Sequence, residues 1–183
     1  FSGTHQGDVH VLHCNGAGDQ RRRPRRPAST PIARGVLSRH LDLETWVPPS
    51  SFPDLTGQER IAIDLETRDP NIKTLGPGWC RDDGYIIGVA IAAGDCQGYF
   101  PIRHESGENF SQKKVFAWLK KQMETPHIEK VMHNAMYDLG WLRWAGIEVQ
   151  GPIVDTMIAA PLLNENRMYY NLDSLSREYL GER

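Results

Sequence analysis

Arg60-Ile61-Ala62-Ile63-Asp64-Leu65-Glu66 is the stretch on which the fold turns. Its residues alternate strictly, with Ile61, Ile63 and Leu65 on one face and Ala62, Asp64 and Glu66 on the other, the period-2 signature of a strand buried on one side. Asp64 and Glu66 are two apart, so both carboxylates leave the same face a few ångströms from one another. Two like charges so close are costly unless a proton or a cation neutralises them. Hard divalent metals such as Mg²⁺ or Mn²⁺ take oxygen ligands and suit that task. A strand end that simply points two carboxylates at solvent is the other reading this spacing allows.

Downstream, Gly76-Pro77-Gly78 marks a turn, Tyr85–Ala93 is a dense apolar run of strand length, and a third strand over 98–102 follows the Gly94-Asp95 turn. Three successive strands with short connections predict an antiparallel meander. Ser111 then opens a helix in which Val115, Trp118, Leu119, Gln122 and Met123 share one buried stripe, closed before Pro126. The spacing next predicts a short strand over 129–133 and a helix over 135–145, capped by Asn134 and stopped at Gly146. A further helix runs from the cap Asp155 through Leu163, and the last begins at Asn171 or Asp173. A meander followed by alternating helices and strands implies an α/β fold, a mixed sheet with helices packed on it. No internal repeat interrupts it.

A second constellation, His133-Asn134-Ala135-Met136-Tyr137-Asp138, falls at a strand-to-helix junction and puts Asp138 in the first turn of the helix. A carboxylate there can reach over the sheet edge toward a metal held by Asp64, or it can simply complement the helix dipole. The ordered set IAIDLET (61–67), KVMHNAMYDLGWL (130–142), VDTMIAAPLLNE (154–165) and NLDSLSREYLGER (171–183) resembles the proofreading 3′–5′ exonuclease domain of family A (Pol I-type) DNA polymerases, in its bacteriophage form. The likeness covers about residues 56–183.

That resemblance implies a ribonuclease H-like fold and a site with two divalent cations, Mg²⁺ or Mn²⁺. Asp64 matches the ligand shared by both metals, Glu66 a ligand of the nucleophile-side metal and Asp138 a ligand of the second. Thr67 and Asn134 match positions lining the 3′-terminal nucleotide, with Tyr137 beside them as a substrate-binding residue. It further implies single-stranded DNA 3′ ends as substrate, nucleoside 5′-monophosphates as product, and a polymerase domain in the same full-length chain; the chain is expected to act as a monomer. Asp155 is read as a helix cap outside the catalytic set, and Trp141 and Trp144, three apart on a helix, as core packing rather than a base-stacking platform.

The chain departs from the family in one respect. The family's third motif, Y-x-x-x-D, supplies a tyrosine near the attacking water and a fourth carboxylate. Tyr169 and Asp173 match it formally, but Asp173 belongs to the L-D-S-L segment, which precedes that motif. The third motif is therefore expected beyond Arg183, the domain is expected to be C-terminally truncated, and its activity alone is expected to be impaired. A ribonuclease D-like RNA 3′-end exonuclease shares the same carboxylates and is a competing reading. A non-catalytic nuclease-fold module is another, against which three intact carboxylates count.

Composition sets the limits around these motifs. With 183 residues, 39% of them hydrophobic, the chain can build one ordinary core but not comfortably two. Residues 1–50 carry seven Arg against four acidic residues, a net +3, which leaves 14 basic and 19 acidic residues, or −5, for the rest. An acidic body repels a phosphate backbone unless cations intervene, so a metal-mediated enzyme fits where a non-specific basic clamp does not. Cys14, Cys80 and Cys96 form no C-x-x-C pair, which argues against a disulfide framework or zinc knuckle and for a reducing compartment. No apolar run approaches the roughly 20 residues that span a bilayer, and no secretory signal is present, so no membrane partner is expected. The expected location is the cytoplasm, the host's if the protein is phage-encoded.

Residues 1–55 read as a disordered or low-complexity leader and linker, with the Pro-rich stretch 46–53 leading into the exonuclease domain over 56–183. The run Arg21-Arg22-Arg23-Pro24-Arg25-Arg26-Pro27 reads as a solvated tract in preference to a nucleic-acid arm, because no aromatic or apolar residue interrupts it. His5, His10, His13 and Cys14 lack a second ligand pair and read as chance spacing. The first methionine is Met123, inside the domain, so the natural start is expected elsewhere.

Overall fold

The computed structural model of the chain describes residues 49–105 and 107–181. The Arg-rich tract and the histidines of the leader lie outside the described residues.

The alternating stretch forms the central strand β1, Arg60–Arg68. It pairs antiparallel with β2, Tyr85–Ala93, which pairs antiparallel with β3, Cys96–Pro101. The expected meander is thus present. On its other edge β1 runs parallel to β4, Glu129–Met132, and β4 runs parallel to β5, Ile153–Asp155, giving the order β3-β2-β1-β4-β5. Strand β5 is not predicted by the sequence, because three residues leave no period to read. The sheet is mixed, as expected, and the parallel pairs are the ones joined through helices.

Between β1 and β2 lie a short helix α1, Ile72–Leu75, and a 3₁₀ turn, Gly78–Cys80. Helix α2, Gln112–Met123, buries Val115, Leu119, Gln122 and Met123, the stripe expected of it. Helices α3, Ala135–Trp144, α4, Thr156–Leu163, and α5, Leu172–Tyr179, follow.

The core grows from the apolar face of β1. Ile63 stands opposite Ile91 and Leu65 opposite Val89, and Val89 stands opposite Phe100 on β3. Phe100 packs on Trp118 of α2 at 4.6 Å between ring centroids, with Phe52 and Phe110 completing the aromatic cluster. Packing reaches further toward the N-terminus than the expected start at residue 56. Leu55 is buried with its N–H on Gln122 Oε1 at 2.9 Å, and the Trp118 indole donates to the Pro53 carbonyl at 2.6 Å. Lys130 is fully buried in β4, its ammonium donating to the carbonyls of Thr125, Ile128 and Gln150. Those bonds are what make a lysine tolerable at such a position.

The opposite face of the meander carries Asp64 and Glu66 and is built from small residues. Glu66 stands opposite Gly88, Asp64 opposite Ala90 and Ala62 opposite Ala92. Nothing bulky rises beside the two carboxylates on β2. The β1–β2 register shifts between Glu66 and Thr67; such a bulge bends the strand and re-aims the side chains that follow it.

Candidate active site

The site assembles where β4 ends. The last β1–β4 pair is Ala62 with Val131, so β1 continues alone on that edge while the chain leaves β4 and enters α3. The N–H of Leu65, between the two strand carboxylates, donates to Asp138 Oδ1 at 3.1 Å. Asp138 is thereby fixed against β1 from the first turn of α3, only 3% exposed. Asp64 and Glu66 are exposed on their face of the strand.

Asp138 carries the electrostatic signature of this arrangement. Burial raises its carboxyl first, and the Asp64 charge raises it further, against the pull of the Leu65 N–H, so that it titrates at about 7 instead of near 3.8. A carboxyl kept at that value in a charged corner holds free energy that a cation would release. Among the described residues no three His, Cys, Asp or Glu side chains are already drawn into a cage for a cation. Asp138 is fixed by its hydrogen bond, while Asp64 and Glu66 stand on the neighbouring face. In donor type and excess charge the set fits a hard divalent cation.

The residues expected around the terminal nucleotide fall into two groups. Thr67 and Tyr137 come together: the Thr67 hydroxyl meets the Tyr137 hydroxyl at 2.7 Å, and Tyr137 donates to Asp69 Oδ2 at 3.2 Å. Asp69 Oδ2 also accepts the Gly78 N–H at 2.8 Å, which ties the loop between β1 and β2 to the site. That loop is folded tightly on itself, because a Cβ at Gly78 would lie 1.7 Å from the Asp83 carbonyl oxygen. Burial raises the Tyr137 phenol, so it stays protonated and able to donate. Asp69 is not among the residues singled out by sequence; its part depends on Tyr137, which is 68 residues away.

Asn134 departs from expectation. It occupies the N-cap position of α3 but its side chain makes no capping bond, because its backbone is left-handed at φ 67° and ψ 52°. The capping work is done by Asp155, whose carboxylate accepts the Asn134 N–H at 3.0 Å and the Ala135 N–H at 2.8 Å. Asp155 also caps its own helix α4, as the sequence predicts, through the Met157 N–H at 2.8 Å. One carboxylate therefore joins the start of α3 to the start of α4. His133 and Thr156 reinforce the junction, Nδ1 to Oγ1 at 2.9 Å, and the Thr156 hydroxyl donates to the Met132 carbonyl at 3.1 Å. An Asp-Thr pair opening a helix signals a cap in sequence, but nothing local reveals that it also holds a second helix.

Trp141 is fully buried and meets Trp144 edge-on at 5.4 Å. Trp144 donates its indole N–H to Asp82 at 2.6 Å. Trp141 therefore packs in the core, as expected, whereas Trp144 is exposed and meets it only at its edge.

Comparisons with known proteins agree with this geometry. The family model of the 3′-5′ exonuclease of family A DNA polymerases matches residues 52–183. A DNA-directed DNA polymerase of Pseudomonas phage M6 is 39% identical over 140 residues, 73% of this chain and 21% of the phage protein. The chain thus spans about a fifth of that relative's length. Among solved structures, Brucella melitensis NrnC with bound Mg²⁺ superposes with a TM-score of 0.53 at 24% identity, covering 71% of this chain and 58% of that one. Escherichia coli RNase D, an exoribonuclease involved in structured RNA processing, gives 0.51 at 20% identity, covering 70% and 29%. These two share the chain's mixed-sheet α/β fold, while the family match and the phage relative give the lineage. The chain belongs to the 3′–5′ exonuclease domain family of family A DNA polymerases.

Proposed function

We propose that this domain removes nucleotides from single-stranded DNA 3′ ends as the proofreading part of a DNA polymerase, with Asp64, Glu66 and Asp138 as its catalytic carboxylates. The observation that supports the reading is the Leu65 N–H bond to Asp138, which holds the carboxylate of α3 against the backbone of the residue between Asp64 and Glu66 in sequence. Asp64, Glu66 and Asp138 would hold two divalent cations, Mg²⁺ or Mn²⁺. Such ions supply the positive charge that lets water attack a phosphodiester and stabilises the departing 3′ oxygen.

The chain's own residues do the positioning. Asp138 is immobilised by Leu65 and, through the Asp155 junction at the start of its helix, by α4. Thr67, Tyr137 and Asp69 form a hydrogen-bonded wall on the loop side, and Asn134, at the opening of α3, would meet the terminal nucleotide. The polymerase domain would share the chain, a single copy would suffice, and the enzyme would work in the cytoplasm, that of the host if phage-encoded. Among the described residues no helix is long and apolar enough to cross a membrane.

Single-turnover digestion of a 5′-labelled DNA strand tests the proposal. In the full-length polymerase chain, stepwise shortening from the 3′ end should require Mg²⁺ or Mn²⁺ and should fall by roughly 10³-fold or more in Asp64→Ala. Equal cutting by that variant would overturn the assignment. Faster trimming of RNA than of DNA of the same sequence would favour the RNA-processing reading that the RNase D likeness keeps in view. Calorimetric titration with Mn²⁺ separates both from a non-catalytic module, which need bind no metal.

A further inference from the structure

Two arginines lie at the end of the meander face that carries Asp64 and Glu66, and the catalytic reading uses neither. β1 alternates, so Arg68 is the next side chain on that face after Glu66, about 7 Å further along the strand. It is exposed and lies opposite Tyr85, the first residue of β2. Arg103, also exposed, sets its guanidinium over the Tyr85 ring, 4.9 Å from the centroid. One aromatic ring thus has an arginine opposite it on the neighbouring strand and a second laid over its face.

The strand bulge is what brings Arg103 there. β2 has one residue more than β1 between the pairs Glu66–Gly88 and Thr67–Ile86, so Ile87 is left without an opposite. Its carbonyl accepts the N–H of Ile102 at 2.7 Å and that of Arg103 at 3.0 Å. The chain leaving β3 at Pro101 is thereby held against the bulge, with Ile102 buried and Arg103 outside, beside Tyr85. Neither guanidinium is neutralised: among the described residues no carboxylate forms an ion pair with Arg68 or Arg103, although Glu66 shares a face with Arg68. Stacking occupies the face of the Arg103 guanidinium and leaves its N–H edge open, the edge whose fork matches a phosphate. On a body whose net charge is negative, this is a local reversal of sign beside the acidic site.

We infer that Arg68 and Arg103 bind backbone phosphates of the single strand next to the nucleotide being removed, so that the strand reaches the site across Tyr85. The inference rests on the exonuclease reading above and adds the direction the strand takes, from the Tyr85 end of the meander toward Asp64. The carboxylates would meet the scissile phosphate only through cations, whereas the arginines meet its neighbours directly. Contacts to phosphate fix position without reading sequence, as a site that accepts any terminal base requires.

The test is single-turnover digestion of labelled single-stranded DNA by the full-length polymerase chain in Mg²⁺, with protein in excess and at a series of salt concentrations. Arg68→Gln combined with Arg103→Gln should raise the half-saturating protein concentration about tenfold. It should also flatten the dependence of log affinity on log salt by about 1.4, since each phosphate contact on a single strand contributes about 0.7. Arg68→Lys combined with Arg103→Lys keeps both charges and should keep most of that slope. On a dinucleotide, whose only phosphodiester is the one cut, the gap between the glutamine variant and the unmodified chain should close. If the double variant melts early, Arg68→Gln alone, which leaves the Arg103 stack in place, decides with half the change in slope. An unchanged half-saturating concentration or slope, where Asp64→Ala still abolishes cutting, overturns the arginine assignment and leaves the exonuclease reading standing. An equal loss on the dinucleotide overturns it too, since the arginines would then act at the scissile phosphate. A full-length chain that does not shorten DNA overturns both.

Discussion

Asp138 and Asp155 flank the start of the same helix and differ in almost everything else. Asp138 accepts the Leu65 N–H, is 3% exposed, and is pushed up to about 7 by burial and then by Asp64. Burial acts on Asp155 in the same direction, but the N–H groups of Ala135, Asn134 and Met157 outweigh it and hold its carboxyl below the ordinary range. Asp155 has its negative charge satisfied by the protein, whereas Asp138 has it left over. A carboxylate satisfied in this way does structural work, and one left with unmet charge beside another acid is waiting for something positive. This contrast separates the proposed ligand from the staple more sharply than position in sequence does.

The largest effect that can break the comparison is on catalysis. Asp138→Asn keeps the shape and removes the charge, and it should cut hydrolysis by roughly 10³-fold while leaving the metal-free protein at least as stable as before. Single-turnover assays and thermal melting in EDTA read the two halves of that prediction. A large loss of stability in Asp138→Asn would place Asp138 with Asp155 among the structural residues.

The next effect is a pH dependence of opposite sign at the two residues. The folded value of Asp138, about 7, lies above the ordinary aspartate value of 3.8. Its stabilising contribution is therefore present below about 4 and lost as pH rises through 7, by at most about 4 kcal/mol. Asp155 is lowered, so its contribution is present above the ordinary carboxylate range and lost as pH falls through its folded value. Metal-free protein should thus lose stability between pH 4 and 7 in a way that Asp138→Asn flattens, and Mg²⁺ should restore it near pH 7 and above. Urea unfolding across that range, with and without Mg²⁺, measures the slope. A flat profile in the unmodified protein would remove the electrostatic argument for Asp138.

A smaller loss is expected from Asp155→Ala. Three backbone N–H groups lose a charged acceptor, two of them at the start of α3 and one at the start of α4, which should cost about 2–3 kcal/mol in chemical denaturation. Mn²⁺ should still bind, more weakly, because Asp138 sits on the helix that has lost its cap. Undiminished stability would mean that the left-handed turn at Asn134 holds itself.

The difference between these two residues also marks what the sequence can show. Alternation in residues 61–66 suffices for β1, and the apolar runs after it for the meander, because a two-residue period and adjacent strands are local facts. Asp64, Glu66 and Asp138 are legible as a set through their spacing and the family resemblance. The roles of Asp69 and Asp155 are not, since each depends on a partner brought near by the fold: Tyr137 for Asp69 and the α3 start for Asp155. Asn134 shows the reverse case. An asparagine before a helix is a sound cap by propensity, but asparagine also tolerates the left-handed region, and with Asp155 supplying the acceptor the second property is the one used.

The smallest effect concerns the wall that Thr67, Tyr137 and Asp69 build. Tyr137→Phe removes one hydroxyl that bridges Thr67 and Asp69 and leaves the ring in place. Asp69 keeps the Gly78 N–H, so the loop should remain attached and the loss should be about 1 kcal/mol. Thr67→Val removes the other end of the shorter bond. If the two hydroxyls act only through each other, the double variant should cost little more than either single one, a coupling of about 0.5–1.5 kcal/mol in a double-mutant cycle. Strict additivity would mean that Tyr137 serves the wall through Asp69 alone. The wall would then depend on the loop between β1 and β2, as the Asp138 corner depends on Asp155.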